Sequence, residues 1–222
     1  MTLREQIDRS LSEALTRVRD ALDEALGNWP ISQDAYVQYL SDQAYMVHDV
    51  CRQMLGVAAH PTMLRRPALR KFLIAFGLEE ETHHRLAEAD LKHLGAETRK
   101  PSLDAKLWFM YCASLVTDSP VRRIGFSVVL ENSGKVIGPT VQAIFAKAPF
   151  LTDSNTRFVR AHLHDDIPHG DQLLEAIDAC EWTPEESAEL VGGINDAGTM
   201  LVRLIRSDFE ECLDITNAQK AS

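Results

Sequence analysis

His162, Asp166 and His169 form an H-x-x-x-D-x-x-H run. On a helix of about 3.6 residues per turn, these offsets set all three side chains on one stripe. Imidazole with carboxylate suits iron, zinc or manganese, and two histidines with one carboxylate are an iron arrangement. A solvated polar helix face is the competing reading of the same residues.

Two upstream segments supply more groups of the same kind. Leu69, Leu73, Phe76, Glu80, His83, Ala87, Asp90 and Leu94 follow an alternating three-four series, which puts Glu80 and His83 in the buried seam of a helix. A buried carboxylate is costly unless it is neutralised, and a metal ion is one remedy. Glu81 and His84 share the E-x-x-H spacing one step off the stripe and form the alternative register. A solvated acidic patch is the third reading of EEETHH. Glu131 interrupts an apolar run, VVLE, on the face that also carries Val121, Ile124 and Val128. Gly134, one turn on, admits the close approach of a helix or ligand. Alone, Glu131 reads as a satisfied core acid; beside the other groups it becomes a candidate ligand.

Phe158, His162, Asp166, His169, Leu173 and Ile177 share a stripe, so the polar triad replaces two turns of core. His164 points about half a turn away and reads as surface, while Asp165 is a substitute ligand. Pro168 lacks the amide proton a helix interior needs, and Gly170 follows, so a kink or bulge is expected there. Glu80, His83, Glu131, His162, Asp166 and His169 thus give three carboxylates and three imidazoles from three helices, a set suited to two metal ions.

The elements that must position these groups read as helices throughout. Residues 1–28 form an N-terminal helix with Leu3, Ile7, Leu11, Leu15, Val18, Leu22 and Leu26 on one stripe, ending at Gly27. After a Trp29-Pro30 joint, a second helix is expected over about 32 to 59, with Val37, Leu40, Ala44, Val47, Cys51 and Met54 inward. The third runs from about Pro67 to Leu94 and stops at Gly95. Ser102 caps a fourth, and Ser119-Pro120 opens a fifth that extends toward Ala148. The sixth covers about 153 to 180, and Thr183-Pro184-Glu185-Glu186 is a capping box for the seventh. Residues 215–222 read as a frayed tail. The expected fold is all-α, a compact seven-helix bundle in one domain spanning 1–222.

Composition narrows the function classes. The 222-residue chain carries 23 Lys and Arg against 33 Asp and Glu, a formal net charge of −10 that opposes binding to nucleic acid or to anionic membranes. The expected partner is therefore a small molecule. No apolar run reaches the roughly 18 residues of a membrane span, and MTLREQIDRS mixes charges where a secretion signal needs an apolar centre, so the expected location is cytoplasmic. Cys51, Cys112, Cys180 and Cys212 lie far apart without a C-x-x-C pair, which argues against a zinc ribbon or a disulfide scaffold.

The segments EEETHHRLAEADLKHLG, SPVRRIGFSVVLE and HLHDDIPHGDQLLEAID resemble the three signature stretches of the heme-oxygenase-like diiron oxidases, the iron-containing redox enzymes, over about residues 35 to 180. Asp90, Leu91, Leu94 and Gly95 match the family's D-L-x-x-L-G ending, which favours Glu80 and His83 over Glu81 and His84. The resemblance implies a heme-oxygenase-like seven-helix domain, frequently a homodimer, with a mobile ligand-bearing helix. It also implies two ferrous ions on Glu80, His83, Glu131, His162, Asp166 and His169, with dioxygen as cosubstrate. The expected activity is oxidation of an amine, amino acid or fatty acid through a peroxo-diferric species. Related branches give the alternatives. Thiaminase-like hydrolases use a cysteine and a glutamate without metal, for which Cys112 and Cys51 are available. The pyrroloquinoline-quinone synthase type is a cofactorless oxidase, and a true heme oxygenase needs a proximal histidine, for which His48 is available. A non-catalytic protein holding a structural ion is the remaining alternative. Tyr36, Tyr39, Tyr45 and Phe126 are expected to line a pocket or fill core. Arg122, Arg123 and Lys135 read as surface bases, with the anchoring of a substrate carboxylate as the alternative.

Overall fold

The computed structural model describes residues 1–28, 31–163 and 169–220. Their regular structure is helical throughout, in ten α-helices and one short 3-10 turn. The α-helices are α1 (Leu3–Asn28), α2 (Gln33–Val47), α3 (Val50–Ala59), α4 (Pro67–Glu80), α5 (His83–His93), α6 (Leu103–Asp118), α7 (Pro120–Lys147), α8 (Arg157–Leu163), α9 (His169–Asp178) and α10 (Pro184–Lys220). These are the seven expected runs, of which two are divided and a third is described in two parts. The second breaks at His48–Asp49 and the third at Glu81–Thr82, whereas the described parts of the sixth end at Leu163 and resume at His169. Pro168, Asp166, Asp165, His164 and the Trp29-Pro30 joint lie outside the described residues.

The chain's own punctuation sets most boundaries. The Ser32 and Ser102 hydroxyls accept from the amides of Ala35 and Ala105, each at 3.1 Å. Thr183 and Glu186 exchange both bonds of a capping box, at 3.2 and 3.0 Å. Ser119 departs from expectation, because its hydroxyl goes to Glu189 rather than to the first turn of α7. At the end of α5, Ala96 N–H donates to Leu91 O and Gly95 N–H to Lys92 O, with Gly95 at φ 68°. That is a Schellman closure, and it needs the left-handed conformation that glycine adopts without penalty.

The two described internal breaks face one another. α3 packs on α4 and α2 on α5, so α2–α3 and α4–α5 form a paired hairpin. The two breaks meet across it, where the rings of His48 and His84 stand edge to face at 4.9 Å. Neither break ends the apolar stripe. Leu69, Leu73, Phe76, Glu80, Ala87 and Asp90 are all buried on either side of Glu81–Thr82. α7 runs through the middle of the molecule, touching α1, α6, α8, α9 and α10.

Two apolar clusters result. The larger joins α1, α2, α3, α4, α6, α7, α9 and α10, and the smaller includes Leu22, Tyr36, Leu40, Ala87, Leu91, Val141, Phe158 and Val159. A cavity of about 770 Å³ is lined by residues of both. Among the described residues, no helix is long and apolar enough to cross a membrane.

Candidate metal centre

Glu80 is the last residue of α4 and His83 the first of α5, so the Glu81–Thr82 break sits between them. Both line the cavity, and neither Glu81 nor His84 does. His83 Nδ1 lies 2.6 Å from Glu80 Oε2, yet off the direction a ring N–H would take, and it makes no hydrogen bond among the described residues. Through this contact Glu80 raises the His83 pKa against the opposing effect of burial, so without metal the two groups form an ion pair at the cavity wall.

His162 completes the group from α8. One ligand atom each of Glu80, His83 and His162 lies within 4.8 Å of the other two. His162 Nδ1 is 2.7 Å from the Phe158 carbonyl, which can only accept, so Nδ1 carries the proton and Nε2 keeps its lone pair. A backbone bond of this type commonly fixes the tautomer of a metal-binding histidine. Desolvation of the ring lowers the His162 pKa, which favours the neutral form that a ligand must have.

Two glycines admit the helices that carry the histidines. A Cβ at Gly134 of α7 would meet the His162 carbonyl oxygen at 2.4 Å, and one at Gly170 of α9 would meet Asn132 Oδ1 at 2.5 Å and the Glu131 carbonyl at 2.7 Å. The backbones of α8 and α9 therefore rest directly on the turn of α7 that bears Glu131. The close approach expected of Gly134 is realised; Gly170 plays the same part for His169.

Glu131 and His169 stand beside the triad. His169 Nδ1 is 3.6 Å from Glu131 Oε2, and its Nε2 donates to Glu79 Oε2 at 2.8 Å. Glu131, supported by Glu79, raises His169 to about 9 against the opposing effect of burial. Desolvation pushes the Glu131 carboxyl up. Five of the six residues expected from the sequence are thus assembled at the cavity wall, and the sixth, Asp166, lies outside the described residues.

Two contributors were not anticipated. Glu79 is cavity-lining and engages His169, although it falls off the apolar stripe. Asp90 is wholly buried, and its Oδ2 accepts from the Phe158 amide at 2.8 Å. This carboxylate from α5 caps the first turn of α8 and so sets the helix that holds His162. Asp90 lay on the buried stripe, but the sequence does not show what a buried acid 68 positions away in the chain will cap.

The other expectations divide. Tyr36 and Tyr39 line the cavity, whereas Tyr45, packed on Phe109, and Phe126, packed on Trp108, do not. Arg122 pairs with Asp196 at 2.6 Å, and Lys135, which also lines the cavity, with Asp171 at 2.9 Å, as surface bases do. Arg123 does not follow: it is 2% exposed and lines the cavity. Its phase on α7 is one step round from Arg122, which turns it from the α10 side to the interior. His48 is not a lining residue. Cys112 is, but burial pushes its thiol up.

No protein-family model and no curated protein sequence matches the chain. Solved structures do. A domain with a heme oxygenase-like fold from Shewanella denitrificans OS217 superposes with a TM-score of 0.76 at 19% identity, covering 96% of this chain and 93% of that one. A CADD-like protein from Nostoc punctiforme PCC 73102 gives 0.73 at 14% identity, covering 94% and 96%. Heme oxygenase-1 from the cyanobacterium Synechocystis sp. PCC6803, in complex with heme, gives 0.70 at 14% identity over 100% of both chains. The chain has the heme-oxygenase-like fold. Identities this low carry the architecture alone.

Proposed function

We propose that this chain is an iron-dependent, dioxygen-using oxidoreductase that acts on a small organic molecule held in the central cavity. The observation that carries this reading is the convergence of Glu80, His83 and His162 to within 4.8 Å, a two-histidine, one-carboxylate set on a cavity wall. The donors fit a metal ion. His83 Nδ1 is buried without a hydrogen bond, and the His162 tautomer leaves Nε2 available. Glu131 and His169, with Asp166, are the residues that would hold a second ion.

Bound ferrous ions would supply the electrons for reducing dioxygen. Glu80 and Glu131 bring negative charge that offsets the charge of the ions, while the imidazoles add neutral donors. In the metal-free state His169 holds a proton between Glu131 and Glu79, and that proton must leave before the ring can serve as a ligand. Glu79 Oε2, already accepting from Nε2, is placed to take it or to orient the ring once it is neutral. Phe76, Leu130, Ile137 and Phe158 line the same cavity and exclude water from the bound substrate.

A metal-independent thiol hydrolase is the competing reading, with Cys112 as the cavity thiol. Burial holds Cys112 in the protonated form, so the nucleophilic thiolate such a mechanism needs is disfavoured. The deciding experiment is an anaerobic ferrous titration of the wild-type chain and Glu131→Ala, followed by rapid mixing with oxygen under visible-absorbance detection. Two irons per chain and a transient chromophore, lost in the variant, support the proposal. A folded chain without specific iron uptake refutes it.

A further inference from the structure

We infer that the cavity takes a monocarboxylic acid with an apolar body, and that Arg123 anchors its carboxylate. This deepens the reading above by naming the substrate class of the same site. Arg123 Nε donates to Gln53 Oε1 at 3.1 Å and Nη1 to Ser127 Oγ at 2.7 Å, both neutral partners. No carboxylate pairs with it among the described residues. The other strongly packed arginine, Arg66, is paired with Glu186 at 2.5 Å, as burial of a guanidinium demands.

Arginine stays protonated in proteins, and of its five N–H donors three remain after Gln53 and Ser127 are served. The Phe126 ring, 5.7 Å from the guanidinium carbon, packs near the cation but accepts none of these donors. A ligand carboxylate would both satisfy the remaining edge and neutralise the buried charge. It is held to one charge by the rest of the wall. The second lining cation, Lys135, is committed to Asp171, and beyond Arg123 the polar wall is acidic, with Glu79, Glu80 and Glu131.

Position on α7 supplies the orientation. Arg123, Ser127 and Glu131 succeed one another at four-residue steps, so they share a stripe, and eight residues of helix separate anchor from metal centre by about 12 Å. Trp108 and Leu130 also line the cavity. An acid with its head on Arg123 therefore lays its apolar body along α7 toward Glu131, placing atoms remote from the carboxylate nearest the candidate metal residues.

The test uses the full chain, metal-free in chelator, titrated calorimetrically with decanoate and with decan-1-ol. Decanoate should bind at least about tenfold more tightly, since the alcohol leaves the guanidinium unpaired. Arg123→Gln should bring the ratio close to one. Gln53→Glu, which hands Nε a built-in carboxylate, should do the same while retaining the buried cation, and it decides the matter if Arg123→Gln does not fold. Equal binding of the two probes by the wild-type chain, or a decanoate preference that survives in Gln53→Glu, overturns the inference. Because no metal is present, a chain that fails the iron titration can still pass this test, and the two failures stay distinct.

Discussion

Substitution of one cavity-wall glycine separates the packing logic of the candidate centre from helix propensity by sign. Gly134 lies inside α7, where alanine should stabilise the helix by about 0.5–1 kcal/mol if nothing else intervened. The added Cβ, however, would sit 2.4 Å from the His162 carbonyl oxygen and 3.5 Å from Leu163 Cα, against backbone that has no rotamer to yield. Reaching ordinary contact at 3.4 Å moves α8 away from α7 by about 1 Å. Overpacking of that kind costs about 1–3 kcal/mol, so the net expectation for Gly134→Ala is a loss of up to about 2 kcal/mol. In a chain of 222 residues that lowers the melting temperature by a few degrees. The same displacement takes His162 off Glu80 and His83, and metal affinity should fall roughly 10- to 100-fold. The assays are thermal denaturation of the metal-free protein and anaerobic ferrous titration. A variant that melts higher than wild type and binds iron unchanged would show that α8 is not seated on α7 at this point, and the reasoning would fail.

Two further outcomes are expected of the same wall. Asp90→Ala should cost about 1 kcal/mol of stability in urea denaturation, the usual worth of a lost helix cap, and should weaken metal binding through His162, whereas Asp90→Asn keeps an acceptor for the Phe158 amide; wild-type metal affinity in Asp90→Ala would remove its positioning role. His169 gives the pH dependence. Its folded value of about 9 exceeds the ordinary 6.5, so its contribution to metal-free stability is complete below about 6.5 and is lost as pH rises through about 9. Urea midpoints measured from pH 6 to 9.5 should therefore fall more steeply for the wild-type chain than for His169→Asn, and parallel curves would contradict the Glu131–His169–Glu79 contact.

The features that came through from sequence are those set by neighbours in the chain. The Ser102 cap, the Thr183–Glu186 box and the Gly95 stop depend on residues within a turn of one another, and all three appear as expected. The buried positions of the three-four series from Leu69 to Asp90 also survived, with His83 half-buried, and Glu80 and His83 line the cavity where Glu81 and His84 do not. The breaks at His48–Asp49 and Glu81–Thr82 were not legible, because neither site has a glycine or proline. They lie where His48 meets His84 across the hairpin. Asp90 capping α8 is a contact of the same long-range kind.

Arg123 is a different case, because the information was present in the sequence. Val-Arg-Arg-Ile looks like a surface pair when its two arginines are taken together, yet a helix turns by about 100° between them. Measured from Glu131, already assigned to the interior, Arg123 lies about 80° round the helix and Arg122 about 180°. Placing Glu131 inside therefore brings Arg123 nearer the interior than Arg122, about two turns away. The structure buries that guanidinium, bonded to Gln53 and Ser127 and to no carboxylate among the described residues. Were Arg123 needed only for stability, an internal acid in place of Gln53 would serve it better than an amide does. The neutral partner keeps the charge available to the cavity, which is why Gln53→Glu is expected to retain the fold while abolishing the preference for a carboxylate.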